Sequence, residues 1–196
     1  AYLVPGTDPH QSEYLPDRWK RRDFVTGFTG SAGDALVTLD DAGLWTDGRY
    51  FLQAERELQG TGVRLFRLGM PGVPSIDDHV VESAAVGSTV GVDPRVVSAG
   101  RAARLEARLR ERGARLKPIA SNLVDRVWKG QPRLPRAALR PHPRRFAGET
   151  VASKLRRVRE AMVEAGVDAH VVGALDAVMW TCNLRGRDVD FNPVAI

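Results

Sequence analysis

Residues 35–46 read Ala-Leu-Val-Thr-Leu-Asp-Asp-Ala-Gly-Leu-Trp-Thr, and this stretch decides what kind of sheet the chain can form. Two short apolar runs, at residues 35–39 and 43–46, flank the pair Asp40-Asp41, which is typical of a turn. Two strands joined by so short a turn predict an antiparallel hairpin. An α/β protein that contains a hairpin is expected to have a mixed β-sheet rather than a purely parallel one.

Helices and further strands alternate on both sides of this hairpin. Asp17 is a candidate cap for a short helix that precedes it. Ser75 is a candidate cap for a later helix, and Asp78 stands three residues on, where it could close a capping box. The other predicted strands are residues 2–4, 63–68, 89–92 and 115–119, and the other predicted helices begin at residues 51, 99 and 123. The sequence therefore predicts an α/β fold with a mixed sheet flanked by helices.

Composition divides the chain into three predicted parts. Residues 1–122 form the first domain, and residues 123–148 form a basic linker that contains four prolines. Residues 149–196 begin a second, similar domain. This last part has a helix with Leu155, Val158, Met162 and Ala165 on one stripe, and a strand at residues 168–173 that weakly echoes the start of the chain. We expect the second domain to be incomplete and the chain to be cut at both ends.

The basic charge is concentrated in the predicted linker. The chain has 29 basic and 24 acidic residues, a net charge of +5 and a pI of about 9.9. Residues 126–145 contain basic side chains but no acidic one. Nucleic acid could bind such a segment through its phosphates, with retention that is sensitive to salt. We favour a solvated connector, because Trp128 and Phe146 are too few aromatic residues for a base-stacking platform.

The remaining composition is that of an ordinary globular protein. No apolar run approaches the ~20 residues that cross a bilayer. The first six residues lack the pattern of a secretory signal. The single cysteine, Cys182, excludes an internal disulfide and a zinc site built on paired cysteines. A reducing, cytoplasmic setting is therefore expected, with no membrane partner.

Two loops are candidate sites. Gly27, Gly30 and Gly33 match neither the dinucleotide fingerprint nor a phosphate loop, so we expect a turn that needs positive φ or close backbone approach. Asp8, His10 and Glu13 could chelate a metal from one loop, but an Asx-turn at Asp8 is the favoured interpretation. His79, His142 and His170 are isolated, no H-E-x-x-H motif occurs, and no metal site is predicted.

Arg49, in Asp47-Gly48-Arg49-Tyr50, is the most interesting candidate. A guanidinium at the start of a helix can grip a carboxylate or a carbonyl with two donors. Residue chemistry alone favours a simple surface pair between Arg49 and Asp47. Arg185, in Asn183-Leu184-Arg185-Gly186, has the same simple alternative.

Taken together, these segments resemble the Xaa-Pro aminopeptidases (aminopeptidase P) of the creatinase/prolidase superfamily. The resemblance rests on several motifs that follow one another in the family's order. They are residues 2–14, Gly27-Phe28-Thr29-Gly30-Ser31-Ala32-Gly33, residues 44–54, Val90-Gly91-Val92-Asp93-Pro94, Asn122-Leu123-Val124-Asp125, Asn183-Leu184-Arg185-Gly186, Asp188 and Asn192-Pro193.

The resemblance implies a longer parent protein that removes the N-terminal residue from peptides with proline in second position. Two creatinase-like N-terminal domains, each with an RNase H-like mixed sheet, would precede a "pita-bread" catalytic domain that holds two divalent ions, usually manganese. That catalytic domain and its metal ligands are expected to be absent from this chain, which is therefore expected to be inactive alone. The resemblance also implies that Arg49 contacts bound peptide, that the parent is cytoplasmic, and that it forms a homodimer. A stand-alone, non-enzymatic module for peptide binding or oligomerisation remains the alternative.

Overall fold

The computed structural model describes all 196 residues and divides them into two compact units, Ala1–Arg133 (unit 1) and Leu134–Ile196 (unit 2). The strands of unit 1 are β1 (Tyr2–Pro5), β2 (Asp34–Val37), β3 (Ala42–Thr46), β4 (Arg64–Arg67), β5 (Thr89–Val92) and β6 (Arg115–Pro118). Its helices are a 3-10 turn (Asp17–Trp19), α1 (Arg21–Thr26), α2 (Phe51–Glu57), α3 (Ile76–Ser83), α4 (Ala99–Glu111) and α5 (Leu123–Val127). Unit 2 contains β7 (Arg140–Pro141), α6 (Arg144–Ala147), α7 (Val151–Glu164), α8 (Leu175–Thr181) and β8 (Leu184–Arg185).

The sheet of unit 1 is mixed, with strand order β4-β3-β2-β1-β5-β6. The predicted hairpin is present: β2 and β3 pair antiparallel, and β1 is antiparallel to β2. The three other pairings, β3 with β4, β1 with β5, and β5 with β6, are parallel. The expected α/β class with a mixed sheet between helices is therefore confirmed.

Alternation along the strands builds a core on each face of this sheet. Leu3, Leu36 and Trp45 point to the face covered by α3 and α4, where they pack against residues such as Val80 and Leu109. Their immediate neighbours point to the opposite face. Two clusters cover that face, one of Tyr2, Val4, Ala35 and Val124, and one of Phe28, Leu44, Ala54 and Leu58.

The predicted helix caps have mixed outcomes. Ser75 caps α3, because its side chain accepts from the backbone N–H of Asp78. The Asp78 carboxylate accepts from the Ser75 hydroxyl at 2.6 Å, which differs from the reciprocal backbone bond of a capping box. Asp17 was wrongly predicted to cap a helix: the 3-10 turn begins after Pro16 without a side-chain cap. Its carboxylate instead accepts from Lys20 Nζ at 2.6 Å.

The predicted boundaries at residues 122 and 149 differ from the division into two units. Asn122 caps α5 by accepting from Val124 N at 2.9 Å, and Val124 is buried in unit 1. In unit 2, β7 pairs with β8. The segment at residues 123–148 therefore contributes to both units, because an apolar residue at one end and a strand pairing at the other hold it in place.

Unit 2 has a small core of its own, formed by Met179, Val189 and Val194. The strand predicted at residues 168–173 is wrong. These residues are exposed and no strand lies beside them. Val171 and Val172 favour a β-strand, but no neighbouring strand supplies the backbone hydrogen bonds that a strand needs. The predicted stripe on α7 is only partly buried, and Ala165 is exposed.

No helix in either unit is both long enough and apolar enough to cross a bilayer.

Candidate functional site

Arg49 stands in the short turn that connects β3 to α2. The turn is closed by a hydrogen bond from Tyr50 N to Asp47 O at 3.0 Å, and α2 begins at Phe51. The Asp47 carboxylate also accepts from Arg49 N at 3.0 Å, an Asx-turn that fixes the backbone at the arginine. The end of β3 and the start of α2 therefore set the position of Arg49.

The guanidinium of Arg49 is held by Asp47 in a forked pair. Arg49 Nε donates to Oδ1 at 2.9 Å and Nη2 donates to Oδ2 at 2.7 Å. Both side chains are solvent-accessible, at 62% for Arg49 and 38% for Asp47. Hydrogen bonds from Arg49 lower the pKa of the Asp47 carboxyl below its usual value of 3.8, and the same carboxylate raises the pKa of Arg49. The surface pair expected from the sequence is thus present.

This pairing leaves part of the guanidinium free. A guanidinium has five N–H donors, and Asp47 uses one on Nε and one on Nη2. Both hydrogens of Nη1 and the second on Nη2 make no hydrogen bond within the protein. Arg49 Cζ also lies 5.3 Å from the centre of the Tyr50 ring. The side chain is therefore oriented on one edge and available on the other.

The glycine-rich loop at residues 27–33 packs against this turn. Ser31 Oγ and Tyr50 Oη are 2.7 Å apart, and the Phe28 and Tyr50 rings meet edge to face with centres 5.9 Å apart. A Cβ at Gly30 would lie 2.3 Å from the Phe28 ring and 2.7 Å from the Tyr50 ring. Gly27 adopts φ +77° at the end of α1. The predicted need for positive φ and close approach is therefore confirmed.

Two charged residues that sequence reasoning missed anchor this loop. Arg22, only 3% exposed, donates to the carbonyl oxygens of Gly30 and of Gly33, and its guanidinium lies 4.9 Å from the Phe28 ring. From α2, the Glu57 carboxylate accepts from Thr29 N at 2.9 Å and from Thr29 Oγ1 at 2.7 Å. The only signal in the sequence was that Arg22 lies in a short helix directly before a glycine-rich loop.

A second missed group lies beyond the carboxyl ends of β1 and β5. Arg21 donates to Asp125 from Nε at 2.6 Å and from Nη2 at 2.7 Å. Asp93, 1% exposed, accepts from Arg95 and from Asn122 Nδ2, the latter at 2.9 Å. Asp93, Asn122 and Asp125 belong to the motifs at residues 90–94 and 122–125, but only the fold brings them together with Arg21.

The candidate metal loop is organised by its own backbone. Asp8 is fully buried, and its Oδ1 accepts from His10 N at 2.9 Å and from Ser12 N at 3.0 Å. This is the expected Asx-turn. His10 Nδ1 stays 3.9 Å from Asp8 Oδ2, and Glu13 is exposed. Nowhere in the chain do three or more His, Cys, Asp or Glu side chains group as a metal site would require.

The other singled-out residues lie apart from one another along the chain. His79 packs beside the Trp45 and Phe66 rings, 5.1 Å from the centre of each. Arg185 lies in unit 2, where Nη1 donates to Leu184 O at 3.1 Å. His142 stacks on Phe146 at 6.0 Å.

Models of a known protein family match both parts of the chain. The creatinase/prolidase N-terminal domain model matches residues 7–127, and a second model of the same description matches residues 130–196.

Curated relatives match along nearly the whole chain. Aminopeptidase P2 of Arabidopsis thaliana is 44% identical over 196 residues, and the Xaa-Pro aminopeptidase ApepP of Drosophila melanogaster is 45% identical over 195 residues. Each alignment covers 99% of this chain but only 28% and 32% of the respective relative. The chain thus spans about a third of the length of the curated relatives it matches.

The crystal structure of X-prolyl aminopeptidase from Caenorhabditis elegans, described as a cytosolic enzyme with a di-nuclear active site, is similar in fold. It is 38% identical to this chain, with a TM-score of 0.92 over 99% of this chain and 32% of its own length. The mixed sheet and the order of the motifs indicate the same family as these similarities. The chain belongs to the creatinase/prolidase N-terminal domain family, in the version carried by the Xaa-Pro aminopeptidases.

Proposed function

We propose that this chain is the N-terminal, non-catalytic part of a metal-dependent Xaa-Pro aminopeptidase, which releases the N-terminal residue from peptides with proline in second position. Identity of 44–45% to proteins named as aminopeptidases P supports this assignment. The 0.92 TM-score to an X-prolyl aminopeptidase supports it as well.

The peptide-cleaving step is assigned to a catalytic domain outside these 196 residues. A two-metal centre needs several carboxylate or imidazole ligands around ions that lie ~3.5–4 Å apart. The side chains of this chain do not form such a group, so they do not fit the two divalent ions, proposed as manganese, that the parent would use. No step of the reaction is therefore assigned to residues of this chain.

Arg49 is the residue proposed to contact the peptide, and its geometry carries the proposal. Asp47 orients the guanidinium and Tyr50 supports it, while the Nη1 edge keeps two unused donors. An arginine held in this way loses little side-chain entropy on binding. Its free edge matches the oxygen atoms of a carboxylate or a peptide carbonyl.

The test is a kinetic comparison in the full-length parent. Arg49→Ala should lower kcat/KM for a Xaa-Pro peptide by about tenfold to a hundredfold, since a hydrogen bond to a charged group contributes roughly 1.5–3 kcal/mol. Arg56→Ala removes an exposed arginine from α2, the helix that follows Arg49, and should leave kcat/KM unchanged. Thermal unfolding should be the same for both variants and the parent. Equal kinetics for the Arg49 and Arg56 variants would remove Arg49 from the site.

Two further properties belong to the same proposal. The parent is expected to be cytoplasmic and to form a homodimer, to which this part of the protein contributes. Sedimentation of the full-length protein checks the dimer. A reading frame that continued past Ile196 with two Asp, one His and two Glu metal ligands would support the enzyme; a stop codon there would favour the stand-alone peptide-binding module.

A further inference from the structure

Unit 2 places two arginines directly opposite each other. In the two-stranded ribbon of β7 and β8, Arg140 is the cross-strand partner of Arg185. Like charges in this position repel each other and weaken the pairing. Arg187 follows Arg185 by two residues and lines the same surface pocket as Arg140 and Arg185.

None of these three arginines forms an ion pair with a carboxylate. Arg185 makes one side-chain hydrogen bond, to the carbonyl of the preceding residue, at 3.1 Å. Asp188, the nearest acid in sequence, accepts instead from the backbone N–H groups of Ala137 and Ile196, each at 3.1 Å. Elsewhere in unit 2, Arg157 finds Glu149 at 2.7 Å. None of the three guanidinium groups is therefore neutralised by a direct ion pair, although the Asp190 carboxylate lines the same pocket.

The three arginines line one half of an open groove. That half, about 580 Å³ in volume, contains Arg140, Arg185 and Arg187 with the fully exposed Phe191 ring. Arg185, Asn192 and Pro193 also line a second half of about 440 Å³. The second half has an apolar wall that includes Met179, Trp180 and Val194, and Asp176 also lines it. Arg185 therefore stands between a basic compartment and an apolar one.

The backbone around Arg185 is tightly fixed. A Cβ at Gly186 would lie 2.2 Å from Val194 O, so the two backbone segments are in direct contact. Gly186 N donates to Pro193 O at 2.9 Å, and Asp188 N donates to Val194 O at 3.1 Å. A fixed backbone limits the entropy that binding would cost.

We propose that this groove binds an acidic peptide segment. A side-chain carboxylate of the peptide pairs with Arg185, flanked by Arg140 and Arg187, and a neighbouring apolar side chain packs against Trp180. Forked guanidinium donors match a carboxylate well, and an adjacent apolar wall adds buried area. Asp176 and Asp190 also line the groove, so three arginines stand against two carboxylates. This small excess of positive charge suits a segment with one or two carboxylates better than the repeated phosphates of nucleic acid. The inference uses no residue of unit 1 and does not depend on the role of Arg49.

Calorimetric titration of the 196-residue chain with a blocked Ala-Leu-Glu-Glu-Ala peptide tests this proposal. We expect saturable binding that is at least about tenfold weaker for the matched Ala-Leu-Gln-Gln-Ala peptide. Arg185→Gln should weaken binding of the acidic peptide by a similar factor. Arg159→Gln is the matched control, because Arg159 is an exposed arginine of α7 that does not line the groove, and it should bind like the parent.

Arg187→Gln provides a second variant in case Arg185→Gln does not fold. The Arg187 side chain is exposed and makes no hydrogen bond, so its loss should weaken binding without lowering the melting temperature. Equal binding of the two peptides, or equal weakening by Arg159→Gln, would overturn the proposal. Dimerisation of the chain that Arg185→Gln abolishes, without peptide binding, would assign the groove to a second copy and overturn it too.

Discussion

At the scale of single residues, sequence patterns did not reveal the buried ion pairs of unit 1. Arg21 is 3% exposed and the Asp125 side chain 20% exposed, and together they join α1 to α5. Gln131 Nε2 adds a third donor to Asp125 at 2.7 Å. Burial alone would raise the pKa of Asp125, but the hydrogen bonds and charge of Arg21 outweigh it and hold that pKa below 3.8. The folded state therefore favours ionised Asp125.

Asp125→Asn should reduce the free energy of unfolding at pH 7 by roughly 3 kcal/mol, because the buried Arg21 loses its hydrogen-bonded carboxylate and keeps only Asp93, 4.0 Å away. The folded-state pKa of Asp125 is depressed, so its contribution is complete above the usual carboxyl pKa of 3.8 and is lost as the pH falls through the folded value. Denaturant titrations at pH 7 and at pH 3 measure both effects, and the difference between variant and parent should shrink in acid.

The exposed pair of Asp17 with Lys20 is the control for that experiment. Asp17→Asn should change the free energy of unfolding by less than about 1 kcal/mol at either pH. A variant at Asp125 that behaved like the Asp17 control would show that the Arg21 pair does not stabilise unit 1.

Asp47 is expected to act through Arg49 rather than on the peptide itself. In the full-length parent, Asp47→Ala should lower kcat/KM less than Arg49→Ala does, because it releases the guanidinium without removing it. The double variant should be no worse than Arg49→Ala alone, which is the mark of two coupled residues. Additive losses in the measured kcat/KM would mean that Asp47 has a separate role.

At the scale of elements, α4 shows how a helix is fixed to the sheet. Ser98 caps it by accepting from Arg101 N at 3.3 Å, and Leu105 and Leu109 are buried against the sheet. Arg101 donates to Asp77 of α3 and to Asp34 of β2, both at 2.8 Å. Periodicity predicted the apolar stripe, whereas the ion pairs depend on where α3 and β2 lie.

Leu109→Ala should lower the free energy of unfolding by about 3 kcal/mol, through lost burial and the cavity left behind. Arg104→Ala, on the exposed side of the same helix, should change it by less than about 0.5 kcal/mol. Chemical denaturation followed by circular dichroism compares the two. Similar losses for both would place the packing of α4 in doubt.

At the scale of the whole molecule, each unit has its own apolar core. Three clusters belong to unit 1, and one cluster of Met179, Val189 and Val194 belongs to unit 2. Lys154 connects α7 to the end of α8 in unit 2, because its buried ammonium donates to Trp180 O at 2.8 Å and to Asn183 Oδ1 at 2.7 Å. A small unit with so few buried apolar residues depends heavily on such polar contacts.

The 196-residue chain with added manganese should release no N-terminal residue from a Xaa-Pro peptide. The proposed reaction needs a two-metal centre, and these residues do not assemble its ligands. Amino-acid release measured by mass spectrometry, with a full-length aminopeptidase P as the positive control, checks this. Turnover together with stoichiometric metal binding by the isolated chain would overturn the proposed division of labour.

Local chemistry explains which expectations succeeded. The hairpin, the Ser75 cap and the Asp8 turn were predicted because neighbouring residues make their decisive contacts. The strand at residues 168–173 failed, because a strand exists only where another strand supplies hydrogen bonds. The candidate site was predicted at Arg49 through family motifs, but its anchors, Arg22 and Glu57, were not.

Apolar periodicity, turn chemistry and ordered motifs depend on residues close together in the chain, so they were enough to predict the α/β class, the order of most elements and the family. Which charges meet depends instead on the folded arrangement, which brings Arg21 to Asp125, Arg22 to the glycine-rich loop and Arg140 beside Arg185. The physical reason is the separation along the chain of the residues that make each kind of contact. A turn or an amphipathic face depends on residues a few positions apart, whereas an ion pair between residues 104 positions apart exists only after the chain has folded.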